Sequence, residues 1–249
     1  MRRYNNSIPE QDRGTFNLSI SDLMAGLLAI FILALAYFIL NFSQNTAKLT
    51  QNNIVREELV TSLRDDIVQM GIKVDVDEKR GILRIPEKAL FFRVGRADVD
   101  DPDVVRKIGA VLLKTLKSEK YRGKIETVFI EGHTDSDPTG LNSIYASNWE
   151  LSTQRAINTW NVMKSGENKE LAELKNNVVF LNKEGKKEHI REYVFSCSGY
   201  GETRPIAPND AQHKSQNRRI DIRFTMVPPV EDDSDIVKSV REGLMKNEK

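Results

Sequence analysis

KIETVFIEGHTDSDPTGLNSIYASNWELSTQRAINTWNVMK, residues 124–164, reads as one strand, one polar loop and one helix. Lys124 to Glu131 carries the β-branched and aromatic residues of a strand, and the helix follows from Ser147 to Lys164. On the N-terminal side, Ile72 to Val76 and Gly81 to Ile85 form a predicted hairpin around Asp77-Glu-Lys-Arg80. Val104 to Leu116 is a predicted helix opened by Asp100-Asp101-Pro102. On the C-terminal side, Tyr193 to Ser198 and Arg219 to Met226 are strands. The predicted order is βαβαβ with one further β, an α/β sandwich. Between Gly166 and Ile190 lies an insertion rich in Lys and Glu, with Val178 to Leu181 as an extra strand, which reads as a solvated elaboration.

The chain has 249 residues and a formal charge of +1, so no electrostatic case exists for nucleic-acid binding. Cys197 is alone, which excludes an internal disulfide framework. His133, His189 and His213 show no zinc-ligand spacing with it, and no metal site is predicted. Setting aside about 70 residues of anchor and connector leaves roughly 160 to 180, enough for one α/β core.

The anchor is LMAGLLAIFILALAYFIL, residues 23–40, and Asp22 is the only charged residue between Arg13 and Lys48. A helix from Phe16 to Leu40 would reach roughly 37 Å at ~1.5 Å per residue, which exceeds the ~30 Å hydrocarbon core. Asp22 would then lie about 9 Å inside one edge. A carboxylate at the centre of a membrane helix costs roughly 2.5–3.5 kcal/mol, and such residues commonly serve ion pathways. Desolvation favours the neutral acid, so reversible protonation is the natural chemistry. A bland alternative stands beside it: Ser19-Ile-Ser-Asp22 also reads as a capping box. The apolar run is too long for a cleaved signal peptide, and no small-x-small site follows it. Arg2, Arg3 and Arg13 ahead of the span favour a cytoplasmic N-terminus. The predicted domains are a cytoplasmic segment 1–15, a transmembrane helix 16–42, a connector 43–71, a folded α/β domain 72–227 and a charged tail 228–249.

Asn41 to Asn53 is polar and reads as a connector rather than core. Val55, Leu59, Leu63, Ile67 and Met70 then mark one helical face ending at Gly71. So narrow a stripe suits either a helix pair or packing on the chain's own domain. Gly26 with Ala25, Ala29 and Ala34 offers a small-residue surface to another membrane helix. Both features favour a homodimer.

Four strings carry a family resemblance. Ile130-Glu-Gly-His-Thr-Asp135, Asn148-Trp-Glu-Leu-Ser-Thr-Gln-Arg-Ala156, Gly199-Tyr-Gly-Glu-Thr-Arg-Pro205 and Asn217-Arg-Arg-Ile-Asp221 resemble, in order, the signature of the OmpA-like peptidoglycan-binding domain. The Asn-Trp-Glu-Leu-Ser run and the spacing from Asp135 to Arg155 look like the MotB branch. MotB-type proteins also begin with one membrane helix carrying an acid near its cytoplasmic end, which Asp22 matches. Ser21-Asp-Leu-Met-Ala-Gly26, the compact connector and the length are most similar to the ZorB-like subgroup of the Zorya anti-phage system.

The resemblance implies an inner-membrane protein with a periplasmic C-terminal domain and a ZorA-like multi-span partner forming a five-subunit ring around a dimer. Ion flow would turn that ring against the wall-anchored pair. The carried ion would be H+ or Na+, with no further cofactor. In the outer domain, a diaminopimelate side chain of peptidoglycan presents an ammonium and a carboxylate. Asp135 would take the ammonium and Arg155 the carboxylate, with Thr134, Asn148 and Leu151 near the peptide and Arg218 lining the same cleft. A plain Asp135–Arg155 structural bridge is the competing reading. His133 reads as a hydrogen-bonded strand residue, Gly199 and Gly201 as turn glycines, and Trp149 and Trp160 as core.

No G-x-S-x-G, H-E-x-x-H or glycosidase carboxylate arrangement occurs, so no catalytic residue is expected. Three functions stay open on the sequence: a stator of a defence motor, a flagellar stator, and a passive tether between inner membrane and wall.

Overall fold

The structure, a computed structural model, describes residues 10–90, 92–93, 95–140, 143–182 and 186–228. Most of the N-terminal segment and of the charged tail expected from the sequence lie outside these residues. The chain divides into two compact units, Met1–Lys48 and Leu49–Lys249, and each is described by itself.

Helix α1, Glu10–Gln69, begins in the first unit. There Ser21–Ser43 is apolar and long enough to cross a membrane, and none of it is buried. Asp22 is its second residue. The stretch expected as a polar connector is helical too. It contains no Gly or Pro, so nothing in it interrupts a helix.

In the second unit, Val55, Leu59, Val60, Leu63 and Ile67 of α1 are buried in the main hydrophobic core. The stripe thus serves the chain's own domain. Met70, expected to continue it, is 49% exposed because the helix has already ended. Gly71 follows with φ +79°, the left-handed stop that glycine adopts without a Cβ penalty.

The core sheet has five strands in the order β1-β2-β7-β3-β6. These are β1 (Asp75–Asp77), β2 (Ile82–Pro86), β3 (Ile125–His133), β6 (Phe195–Gly199) and β7 (Arg219–Met226). β3 and β6 run parallel, and the remaining pairs are antiparallel. β7 is last in sequence but inserts between β2 and β3, so the hairpin and the parallel pair become one sheet. Between β2 and β3 come α2 (Glu87–Leu90) and α3 (Pro102–Lys117), and α4 (Asn148–Met163) lies between β3 and β6. Ile130, Ile220, Ile222, Leu83 and Ile85 point into the core beneath the helices. The alternate residues Glu131, His133, Arg219, Asp221, Arg223 and Arg84 line the other face.

Caps set the helix starts. The Asp101 side chain accepts from the amides of Asp103 and Val104, with Pro102 at the first helical position. Ser147 accepts from the Glu150 amide at 3.3 Å, while Glu150 accepts from the Ala146 amide at 2.7 Å, a near capping box.

The insertion departs from its solvated reading. Leu171 is fully buried, and Asn168 donates to the carbonyls of Arg106 (2.7 Å) and Met163 (3.0 Å), which ties the first half to α3 and α4. Only the second half, the hairpin of β4 (Val178–Leu181) and β5 (Lys187–Ile190), stands apart as its own two-stranded sheet.

Candidate functional site

The six outer-domain residues singled out from the sequence, Thr134, Asp135, Asn148, Leu151, Arg155 and Arg218, line one cleft of about 270 Å³. Its position follows from two glycines. A Cβ on Gly132 would fall 1.9 Å from the Ser152 carbonyl oxygen, and one on Gly199 would fall 2.4 Å from the Thr153 amide nitrogen. Without side chains there, the first turns of α4 rest directly on the ends of β3 and β6. Thr134 and Asp135, the residues that leave β3, therefore face Asn148, Leu151 and Arg155 at successive turns of α4. Asn148 Nδ2 secures the loop by donating to the Asp137 carbonyl at 2.9 Å.

The charges of the cleft are held by partners within the domain. Asp135 accepts from Arg218 Nη1 at 2.7 Å. Arg155 is 2% exposed and donates to the carbonyls of Arg96 (2.9 Å) and Arg93 (3.3 Å), with its guanidinium over the Phe92 ring. Among the described residues no Asp135–Arg155 ion pair occurs, so the plain structural bridge between those two is not what the fold builds. Both arginines meet instead at Glu87. Arg218 Nε donates to its Oε2, and Arg155 Nη2 lies 3.3 Å from Oε1, an ion-pair distance without hydrogen-bond alignment.

Burial lowers the Arg155 pKa, and Glu87 offsets part of that. For Arg218 burial opposes the charge, but hydrogen bonds to Glu87 and Asp135 outweigh it and hold the guanidinium above its ordinary range. At the rim, Lys214 donates to Asp137 at 2.5 Å. The cleft thus joins three fixed cations to two carboxylates, with Glu87 behind them. This arrangement can hold a zwitterion: cations grip its carboxylate while Asp135 and Asp137 share its ammonium.

Glu87, Asp137 and Lys214 were not picked out from the sequence. Glu87 had one faint signal, its place directly after the strand-ending Pro86. The other two lie in loops whose meeting depends on the fold.

Other expectations need correction. His133 lies in β3, but neither ring nitrogen has a hydrogen-bond partner. It stacks on Tyr200 and has Asp221 Oδ2 at 3.4 Å. Trp149 is 50% exposed, because it lies on the outer side of the first turn of α4. Trp160 is partly buried and stacks on Phe195 at 4.4 Å. Gly199 is a close-packing strand glycine rather than a turn glycine, whereas Gly201 is a turn residue with φ +52°. Glu131, His133 and Asp221 bring one donor atom each within 4.8 Å of one another. Arg223 already donates to Glu131, and Arg219 Nε donates to both Asp221 oxygens at 3.0 Å, so this donor set does not suit a metal cation.

No family model matches the sequence. Over 169 residues the chain is 32% identical to motility protein B of Bacillus subtilis (strain 168), an alignment covering 68% of this chain and 54% of that protein. The chain thus spans about half the length of this curated relative. A protein of Desulfovibrio vulgaris described as MotB-like superposes with a TM-score of 0.50 at 19% identity, over 74% of this chain and 99% of that one. The chain has a MotB-like fold. The periplasmic domain of Helicobacter pylori MotB (residues 78–256) matches more weakly, with a TM-score of 0.41 at 22% identity over 67% of this chain and 85% of that one. In this MotB-like domain the cleft residues come from the segment just after β3, from α4 and from the segment just before β7.

Proposed function

We propose that the chain is the peptidoglycan-anchored stator subunit of an ion-driven rotary motor in the inner membrane, with its N-terminus cytoplasmic and its MotB-like domain periplasmic. One observation carries the reading: a single chain combines an apolar helix bearing one carboxylate, Asp22, with a domain whose cleft gathers Asp135, Arg155 and Arg218. Asp22 carries H+, with Na+ as the alternative ion, and one charge crossing 100 mV releases about 2.3 kcal/mol. The cleft holds the zwitterionic side chain of the wall peptide. The chain works as a homodimer inside a multi-span ring of five subunits. The chain itself acts neither as an enzyme nor in nucleic-acid binding.

Within this reading we propose a ZorB-like role, with a ZorA-like partner, in anti-phage defence; Ser21 to Gly26 supports it. The likeness to motility protein B favours a second reading, a flagellar stator coupled to a rotor. A passive tether would need the cleft but not Asp22. The test is Asp22→Asn in cells carrying the chain with its membrane partner. Loss of phage protection with normal expression and assembly supports the defence motor. Loss of swimming instead supports the flagellar stator, and full activity leaves only the tether.

A further inference from the structure

A second cleft, of about 580 Å³, opens on the polar face of the sheet and takes no part in the wall-binding site. It is lined by five arginines, Arg80, Arg84, Arg204, Arg219 and Arg223, against two carboxylates, Glu131 and Asp221. Register explains the gathering. Arg84 of β2 stands opposite Asp221 of β7, Asp221 opposite Glu131 of β3, and Arg219 opposite His133, so one face of three adjacent strands concentrates charge, with Ile82, Pro86 and Phe129 interspersed. Asp77 also pairs with Arg84 at 2.8 Å. Even with it counted, positive charge is in excess.

Two arginines are not committed to firm pairs. Arg204 has its guanidinium carbon over the Tyr200 ring, 3.6 Å from the centroid, and has no ion pair among the described residues. Arg80 is 73% exposed and only 3.8 Å from Asp77. Stacking fixes a guanidinium plane while leaving its N–H edge open to a ligand. Beneath them, His133 is 2% exposed with neither ring nitrogen hydrogen-bonded, Nε2 lying 3.4 Å from Asp221 Oδ2, and the buried Arg84 Nε makes no hydrogen bond, with Asp221 Oδ1 4.0 Å away. Buried polar groups are ordinarily satisfied, so unused donors on a cleft floor point to a ligand.

The sign of the field selects its charge. Burial, then Arg219, Arg204 and Arg84, hold the His133 pKa down to about 3, so the ring is neutral at pH 7 and can donate one N–H. A cation at Glu131, His133 and Asp221 would have to displace Arg223 and Arg219. An oxyanion held by Arg80 and Arg204 would displace neither of those pairs. Guanidiniums approaching from β2, β7 and the loop after β6 match a tetrahedral anion with several acceptor oxygens better than a planar carboxylate.

We propose that this cleft binds a phosphoryl oxyanion, either a terminal phosphate or a phosphodiester of the cell envelope. The test uses the full chain in detergent micelles at pH 7 and constant ionic strength, with inorganic phosphate and dimethyl phosphate as probes and the melting temperature as readout. A saturable rise absent with matched chloride is expected. Arg204→Gln should weaken it about fivefold to tenfold and Arg80→Gln less, with peptidoglycan pull-down unchanged in both. A stronger response to inorganic phosphate assigns a terminal phosphate, and an equal response assigns a diester. No saturable response to either probe overturns the proposal, as does unaltered affinity in both variants. A response to zinc chloride alone that is lost in His133→Gln would replace it with a metal site.

Discussion

Arg218 Nη1 donates to Asp135 Oδ2 across 2.7 Å, so the carboxylate that sequence reasoning aligns with Arg155 is held by a different arginine. A ligand ammonium must therefore share Asp135 with Arg218. Asp135→Ala should abolish pull-down by purified peptidoglycan. Arg218→Gln should weaken it by about 1.5–3 kcal/mol, the usual worth of a hydrogen bond to a charged group. Unchanged retention in Asp135→Ala would remove the cleft from wall binding.

Glu87 is the shared anchor of the two cleft arginines. Its side chain is 10% exposed and that of Arg155 is 3% exposed, so Glu87→Ala strands a buried cation. A loss of stability of about 3–5 kcal/mol is expected, read by urea unfolding of the full chain. Glu87→Gln should recover part of it, because the amide oxygen still accepts from Arg218. Equal losses for both would show that charge alone holds the pair.

Gly132 permits α4 to touch the sheet. Gly132→Ala places a methyl 1.9 Å from the Ser152 carbonyl oxygen, backbone that cannot swing aside. Overpacking of this kind costs about 1–3 kcal/mol. Because the displaced turn carries Asn148 and Leu151, wall retention should fall along with the melting temperature. A variant that melts earlier yet keeps full retention would uncouple the packing from the site.

His133 makes the stability depend on pH in a defined direction. Its pKa is lowered from 6.5 to about 3 by burial, then by Arg219, Arg204 and Arg84. A lowered histidine favours the fold while neutral, so its contribution is whole above about pH 6.5 and is lost as pH falls toward 3. Asp221 acts oppositely. Burial raises it to about 6 against the pull of Arg219 and Arg84, so the native state gains from its protonation below that pH. Glu131 and Tyr200 also face the ring. Wild type should therefore lose stability relative to His133→Gln as pH falls from 6.5, by at most about 1.4 kcal/mol per pH unit. A difference that does not change with pH would refute the assignment.

Much was legible locally. Strand β7 has the expected bounds, Arg219–Met226, because alternating Ile220, Ile222 and Phe224 leave one face to bury. Asp101-Pro102 and Ser147 start the helices they were expected to start, since a cap is settled within four residues of chain. The convergence of Thr134, Asp135, Asn148, Leu151, Arg155 and Arg218 was read from family resemblance, whereas Glu87, Lys214 and the arginine cleft were not read at all. Their partners lie across the sheet, where β7 inserts between β2 and β3, and no periodicity records which strand neighbours which.

The order of strands and helices and the apolar segment with its lone acid were set by side-chain pattern, because burial and capping act over a few neighbouring residues. The pairing of Arg218 rather than Arg155 with Asp135, the domain-packing role of the α1 stripe and the charged face shared by β2, β7 and β3 arose only on folding. An ion pair is chosen by distance in space, and in this chain that distance follows from strand order and from the close approach of α4 at Gly132 and Gly199.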